Sequence, residues 1–332
     1  MRLADCVTVA FFQGLQETAR TGHPPASGAR GMHEDIRFSA RDGVRLYARR
    51  YRGSRGRRPV LCLPTLAGNS DEFAALAEAV SRNGPDSRTV FTIDGRGRGR
   101  SEAGSGPPRA QILTDCEDAL ELMTLAGLDD ALIVGNGHGG QLAMILALLR
   151  PRSVGALVLN DSAPEFEAEG VVRLLSEITN LPLAATWSEA AALLKALHGR
   201  RYPRLSDAQW LGLAKSRYTE IGGRPARGFD LRFAASLSLS RGNIHRQSLW
   251  PQFAAMARVP MLLLRTEISD LVSKRTVDRM RDLHPMLEEA KIPAEGHPAL
   301  LSDPVSIALV AKFLMANECM DKRSELPLRA VA

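Results

Sequence analysis

The sequence of 332 residues predicts an α/β fold, with a mostly parallel, twisted, eight-stranded sheet that starts with a β-hairpin and carries a helical insertion. Three observations predict this fold. Short apolar runs bounded by turns are typical of strands buried on both faces of a parallel sheet. Stretches with helical periodicity separate most of these runs, as crossover connections do. Between residues 163 and 256 the strand pattern stops and helical patterns follow one another, which indicates the insertion.

The first two strands are predicted as a hairpin. Polar and apolar residues alternate at 35–38 and 44–48, on either side of the turn-forming pair Asp42 and Gly43. Six buried strands are then predicted at 60–63, 89–93, 131–134, 156–159, 260–264 and 289–292.

Helices are predicted from apolar positions that recur on one face. The first has Ser70 as its N-cap. The predicted helices are 70–80 and 112–125 in the core, and 171–178, 188–198 and 206–215 in the insertion. The predicted organisation is a flexible N-terminal extension (1–32), a core (33–162 and 257–316), an all-helical cap (163–256) and a tail (317–332).

Composition limits the classes of function. Hydrophobic residues make up 45% and charged residues 24%, which is typical of a soluble globular protein. The net charge of +6 is scattered, with no basic helix or patch, so no nucleic acid partner is expected. No apolar run approaches the length of a membrane span, and no membrane association is expected. We expect a cytoplasmic protein.

No cofactor or metal is expected either. The four cysteines lie far apart without a C-x-x-C pair, which predicts neither a disulfide framework nor a metal site, at Cys6, Cys62, Cys116 and Cys319. A phosphate-binding G-x-x-x-x-G-K-[ST] motif does not occur, and the glycine-rich run at 95–99 lacks the context of a dinucleotide site.

The most informative stretch is 131–144, where a buried strand passes directly into a helix through a glycine-rich turn. In the motif G-x-S-x-G, small flanking residues allow a strained turn that projects a nucleophile above the N-terminus of the following helix. Gly135, Gly139 and Gly140 occupy the small positions, which puts Gly137 where the nucleophile belongs. The predicted nucleophile position therefore has no side chain.

Four further segments also place glycine, acidic residues or histidine shortly after a predicted strand. A glycine- and arginine-rich loop follows one strand, two strands end in an acidic residue or lead to one, and the last strand leads to a histidine. These segments are 94–101, 157–161, 259–264 with Asp270 after it, and 292–297 ending in His297.

From about residue 34 to residue 316 the chain resembles α/β-hydrolase-fold proteins of the bacterial esterase and C–C hydrolase type, which carry a helical cap. The resemblance implies Asp270 as the triad acid and His297 as the base, in the expected chain order. It implies the backbone N–H groups of Leu66 and His138 as oxyanion donors. One departure is Thr65, which stands where the family usually has a glycine.

Acid–base chemistry gives these residues the same roles, because a histidine accepts a proton from a hydroxyl group while a carboxylate orients its imidazole. The residues alone leave alternatives open. His297 is otherwise a loop histidine, and Asp270 is otherwise a helix-capping carboxylate ahead of Ser273. Asp161, at the end of an earlier strand, is a rival acid.

Three functions remain open for such a chain. The first is a hydrolase relative that acts on, or binds, a small apolar ester or ketone, with covalent turnover lost at Gly137. The second is a lyase or cofactor-free oxygenase type of enzyme, in which His297 with Asp270 acts as a general base without a nucleophile. The third is a sensor that closes its cap over a small ligand. A homodimer is among the expected assemblies.

Overall fold

An eight-stranded sheet forms the centre of the protein. The computed structural model describes residues 32–104, 111–230, 233 and 248–318. The strands are β1 (Glu34–Ser39), β2 (Arg45–Tyr51), β3 (Val60–Leu63), β4 (Val90–Asp94), β5 (Ala131–Asn136), β6 (Val154–Asn160), β7 (Tyr218–Ile221), β8 (Arg224–Arg227), β9 (Met261–Thr266) and β10 (Leu287–Ile292). All of them except β7 and β8 belong to this sheet, in the order β1-β2-β4-β3-β5-β6-β9-β10.

The predicted fold class is confirmed. The hairpin β1–β2 is antiparallel and joins β4 in antiparallel register, while the other neighbouring strands pair in parallel. All residues of β3, β5 and β6 are buried. Alternate side chains of β3 enter different apolar clusters, with Leu61 and Leu63 on one face of the sheet and Val60 and Cys62 on the other.

Helices cover both faces and build the insertion. They are α1 (Ala74–Ser81), α2 (Gln111–Leu125), α3 (His138–Leu149), α4 (Ala168–Thr179), α5 (Trp187–His198), α6 (Asp207–Arg217), α7 (Trp250–Ala255), α8 (Lys274–Leu283) and α9 (Pro304–Ala316). None of the described helices combines the length and apolar character that a membrane crossing requires.

The predicted cap of the first helix is corrected. A single 3-10 turn (Ser70–Phe73) precedes α1, and its N-cap is Asn69, whose side-chain oxygen accepts a hydrogen bond from the amide of Asp71 at 2.8 Å. Ser70 already lies inside the turn, and its own amide donates to the carboxylate of Asp94 at 2.7 Å.

The insertion contains the helices α4, α5 and α6, which the sequence predicted with shorter bounds. Contrary to the prediction, it is not all-helical. The strands β7 and β8 form an antiparallel hairpin after α6. Gly222 and Gly223 connect them, and both have positive φ, which a two-residue hairpin turn requires. This glycine pair was the sequence signal for the hairpin.

Contacts between α6 and the core hold the insertion over the sheet. Nη1 of Arg217 donates to Oε1 of Glu72 at 2.7 Å, and Nδ2 of Asn69 donates to the carbonyl of Lys215 at 3.3 Å. The predicted domain boundaries stay predictions. The predicted extension, apart from Met32, and the predicted tail beyond Glu318 lie outside the described residues.

Candidate active site

A sharp turn between β5 and α3 forms the base of the site. Gly137 has φ +50° and ψ −109°, a backbone conformation that residues with a side chain seldom adopt. Its amide donates to the carbonyl of Asn160 at 3.0 Å, and its carbonyl accepts from Oγ of Ser162 at 2.7 Å. A Cβ atom at Gly139 would overlap the backbone of Leu63, so strand β3 and helix α3 approach closely only because this residue is glycine.

His297 faces this turn from the loop after β10. A Cβ atom placed on Gly137 would lie 2.6 Å from Nε2 and 2.7 Å from Cε1 of His297. The imidazole therefore occupies the space in which a side chain at Gly137 would begin. The hydroxyl of Tyr202 donates to the carbonyl of His297 at 2.7 Å. The ring of Phe166 lies edge-on to the imidazole, with 6.1 Å between the two ring centroids.

The carboxylate partner of His297 is Asp161. Nδ1 of His297 lies 2.8 Å from Oδ2 of Asp161, and the two side chains are 3% and 0% exposed. The carboxylate also accepts from the amide of Thr266 at 3.2 Å and from Oγ of Ser269 at 2.7 Å. Asp161 follows β6 directly and has φ +47°, a region in which aspartate is more frequent than most residues.

The predicted pairing of Asp270 with His297 is corrected by this geometry. Asp270 instead accepts hydrogen bonds from Nε and Nη2 of Arg173 on α4, the latter at 2.6 Å. Partial burial acts to raise the pKa of Asp270, but the hydrogen bonds and charge of Arg173 outweigh burial and hold the pKa below its usual range. Asp270 therefore connects the cap to the core. Asp161, the alternative acid in the sequence analysis, is the carboxylate that pairs with His297.

The two predicted oxyanion donors lie on either side of the turn. Leu66 follows β3 and lines the same cavity as His297. The amide of Thr65 donates to Oε2 of Glu72 at 2.9 Å, so this amide is directed to Glu72. The carbonyl of Leu66 accepts from Nη1 of Arg98 at 3.1 Å.

His138 is the first residue of α3, and its ring belongs to a buried ionic cluster. Nε2 of His138 lies 3.1 Å from Oδ2 of Asp115, which also forms an ion pair with Arg98. Burial acts to raise the pKa of Asp115, but Arg98 and His138 hold it well below its usual range. The cluster therefore contacts both predicted oxyanion residues, Leu66 through Arg98 and His138 through Asp115.

Two serine hydroxyl groups and two thiol groups near the sheet are buried. Oγ of Ser101 donates to the carbonyl of Asp94 at 2.6 Å, and Oγ of Ser162 donates to Gly137 as described above. Burial raises the pKa of the Cys62 thiol far above its usual value and that of the Cys116 thiol to about 12. Neither thiol is activated as a nucleophile.

A cavity of about 60 Å³ lies between the turn and the cap. Thr65, Leu66 and His297 line its base, and leucine and isoleucine side chains of the cap form much of its wall. Its charged and imidazole-bearing wall residues in the cap come from α4, α5, α6 and the loop between α5 and α6, namely Glu177, His198, Arg201 and Arg217. Trp210 of the cap is buried in the apolar core of the protein, and Trp187 is partly buried against it.

Sequence reasoning missed the charged residues that surround the site. Asp115 was the most detectable, because it lies beside Ile112, Cys116 and Ala119 on the apolar face of α2, where an unpaired carboxylate is costly. Glu72 and Arg217 had no such signal, since each also fits the exposed face of a helix. Among the described residues, no cluster of three or more potential metal ligands occurs.

Fold and site define the class of the protein. The family model of the alpha/beta hydrolase fold matches residues 58–304, and the chain belongs to this family. Its relatives with known activities include hydrolases and lipases.

A crystal structure of an alpha/beta hydrolase from Novosphingobium aromaticivorans is 33% identical, with a TM-score of 0.79, and covers 86% of this chain and 99% of that one. A 3-hydroxybutyrate-oligomer hydrolase from Cupriavidus necator is 25% identical over 77% of this chain and 88% of that relative. An sn-1-specific diacylglycerol lipase from Danio rerio is 31% identical over 77% of this chain and 78% of that relative.

Proposed function

We propose that this protein is a hydrolase of esterase and C–C hydrolase descent in which His297, oriented by Asp161, acts directly as a general base on water. Its substrate is a small ester with an apolar part, and no acyl-enzyme forms. The observation that carries the proposal is the contact of 2.8 Å between Nδ1 of His297 and Asp161, with Nε2 directed to the turn at Gly137.

Gly137 supports the non-covalent route. It stands where the motif G-x-S-x-G has its serine, and it provides no oxygen to attack a carbonyl carbon. The neighbouring hydroxyl groups of Ser101 and Ser162 are buried and donate to backbone carbonyls. The hydroxyl of Thr65, which also lines the cavity, donates to Glu72. We infer that the imidazole is the reactive group next to the turn.

The proposed reaction needs only water and the substrate. Nε2 of His297 accepts a proton from a water molecule as the water oxygen bonds to the carbonyl carbon. The carbonyl electron pair moves onto oxygen, and the amides of Leu66 and His138 are the proposed donors to that oxyanion. When the carbonyl re-forms, the bond to the alkoxide breaks and the imidazolium returns the proton to it, which yields an acid and an alcohol.

The experiment compares two carboxylate variants on short-chain phenyl esters, with product formation followed by chromatography. Asp161→Asn and His297→Ala are each expected to lower kcat/KM by about 100-fold or more, because both disable the base. Asp270→Asn is the matched control and is expected to change kcat/KM by less than about twofold, since its carboxylate binds Arg173. Mass spectrometry during turnover is expected to find no acyl adduct.

Two results would contradict the proposal. One is turnover that His297→Ala leaves unchanged, and the other is an equal loss in the Asp161 and Asp270 variants. Ligand-dependent thermal stabilisation without any product, unaffected by His297→Ala, would support the ligand-sensor alternative instead.

A further inference from the structure

The polar end of the cavity contains two arginines with the same unusual bonding pattern. Arg201 uses Nη1 to donate to Oε1 of Glu177 at 2.7 Å and to Nδ1 of His198 at 3.4 Å. Arg217 uses Nη1 to donate to Oγ1 of Thr65 at 2.8 Å and to Oε1 of Glu72. In the part of the chain that the structure describes, the side-chain hydrogen bonds of both arginines come from Nη1, and none comes from Nε or Nη2.

The unused atoms form one edge of each guanidinium group. Nε–H and Nη2–H point in parallel and match the two oxygens of a carboxylate. The same protein shows this match elsewhere. Arg96 donates from Nε and Nη2 to the two oxygens of Asp118 at 2.8 and 2.6 Å, and Arg173 uses the same edge for Asp270.

The two arginines lie in the wall of the cavity at the candidate active site. Arg201 and Arg217 line the same cavity as His297, and their side chains are 24% and 22% exposed. Both side chains are therefore partly exposed, and both contribute to the wall of this cavity beside its leucine residues. A charge-assisted hydrogen bond is stronger in such surroundings than at an open surface.

His198, which also lines the cavity, adds no charge near neutral pH. Burial lowers the pKa of His198 to about 4; Glu177 opposes this shift, while Arg217, Arg201 and Arg173 reinforce it. The neutral imidazole accepts from Arg201 and leaves the two guanidinium groups as the cationic part of the cavity wall.

We propose that the Nε/Nη2 edges of Arg201 and Arg217 bind a carboxylate of the substrate, so that the preferred substrate is a monoester of a short dicarboxylic acid. This inference rests on the proposed function, because the ester carbonyl then faces His297. It narrows the substrate from a neutral apolar ester to one with a free carboxylate at the opposite end.

The experiment compares two probes that differ in one charge. Monomethyl glutarate has one carboxylate and one methyl ester, and dimethyl glutarate has the same skeleton without the charge. Isothermal titration calorimetry on the full chain carrying His297→Ala, which is expected to leave both esters intact, is expected to give a dissociation constant about tenfold lower for the monoester. Arg201→Gln and Arg217→Gln are each expected to remove most of this preference, measured as the ratio of the two dissociation constants.

Arg200→Gln is the control, because it removes the same charge from an exposed neighbour of Arg201. Arg201→Lys keeps the charge without the two-pronged edge and is expected to recover only part of the preference. If Arg217→Gln weakens folding because Arg217 connects cap and core, the Arg201 variants still test the proposal, since the hydrogen bonds of Arg201 stay within the cap.

Equal binding of the two probes would overturn the carboxylate site. A preference for the monoester that survives both glutamine substitutions would also overturn it, because another group would then bind the carboxylate. The proposed function fails on a different result, namely ester hydrolysis that does not depend on His297.

Discussion

Nδ1 of His297 and Oδ2 of Asp161 are 2.8 Å apart, although 136 residues separate them in the chain. Both side chains are buried, and the carboxylate also accepts from Ser269 and the amide of Thr266. These contacts hold the imidazole with Nδ1 towards Asp161, which directs Nε2 to Gly137.

This contact predicts a spectroscopic signature. The proton shared by Nδ1 of His297 and the Asp161 carboxylate is expected to give a proton resonance far downfield of the amide region, because a charge-assisted hydrogen bond deshields it. The resonance should disappear in Asp161→Asn and remain in Asp270→Asn. Loss in the Asp270 variant would mean that Asp270 contacts the imidazole in solution.

Substitution of Gly137 tests the space next to His297. Gly137→Ser is expected to destabilise the protein by about 2–4 kcal/mol, from left-handed backbone strain together with overlap with the imidazole. Gly43→Ser is the matched control, because Gly43 also has positive φ, but a Cβ atom added there would meet nothing within 4 Å. Its expected cost is about 1–2 kcal/mol. Urea unfolding measures both, and equal costs would contradict a filled position next to Gly137.

A reactive probe separates the covalent and non-covalent routes. The unmodified protein is expected to resist labelling by a fluorophosphonate, because Gly137 provides no hydroxyl group. Gly137→Ser is expected to become labelled once the imidazole of His297 turns to accept the serine proton. Intact-mass spectrometry provides the readout, and labelling of the unmodified protein would show that a different nucleophile exists.

The buried pair of Arg98 and Asp115 is expected to be important for stability. Its side chains are 2% and 3% exposed, so Asp115→Asn leaves a buried guanidinium group without its counter-charge, at a cost of about 3–5 kcal/mol. Asp207→Asn is the comparison, because Asp207 pairs with Lys195 at the surface, where the expected cost is below about 1 kcal/mol. Similar urea midpoints for the two variants would contradict a structural role for the buried pair.

Glu295, two residues before His297, is expected to make stability depend on pH. Burial raises its pKa to about 7; the amide of Leu300 opposes this shift, while Asp303 reinforces it. Because the folded protein holds this proton more tightly than the unfolded chain, its contribution is present at acidic pH and is lost as the pH rises towards and through about 7. Glu295→Gln is expected to stabilise the protein by about 1–2 kcal/mol at pH 8 and to have little effect at pH 4. Parallel thermal melts at both pH values measure this difference, and an equal effect at both would contradict it.

Local patterns were sufficient for the fold and for part of the site. Apolar runs of four or five residues predicted β3, β4, β5, β6 and β9, because a strand buried on both faces seldom carries polar side chains. The last of the six strands predicted as buried, β10, lies at the edge of the sheet, and of its residues only Ile292 is buried. The turn at Gly137 was predictable because strand β3 and helix α3 approach so closely that only glycine fits at Gly139. His297 was predictable because it follows the last strand at the edge where the other site residues lie.

The sequence alone did not decide which carboxylate pairs with His297. Asp161 and Asp270 both follow a parallel strand, so both lie at the same edge of the sheet, and local pattern treats them alike. Packing of helix α4 brings Arg173 to Asp270, and the ion pair between them holds that carboxylate at the interface between cap and core. The arginines of the cavity wall were likewise decided by contacts between distant segments, whereas the hairpin β7–β8 is local and had its signal in Gly222 and Gly223. Periodicity reports which face of an element is buried, whereas the identity of each charged partner depends on which element packs against that face.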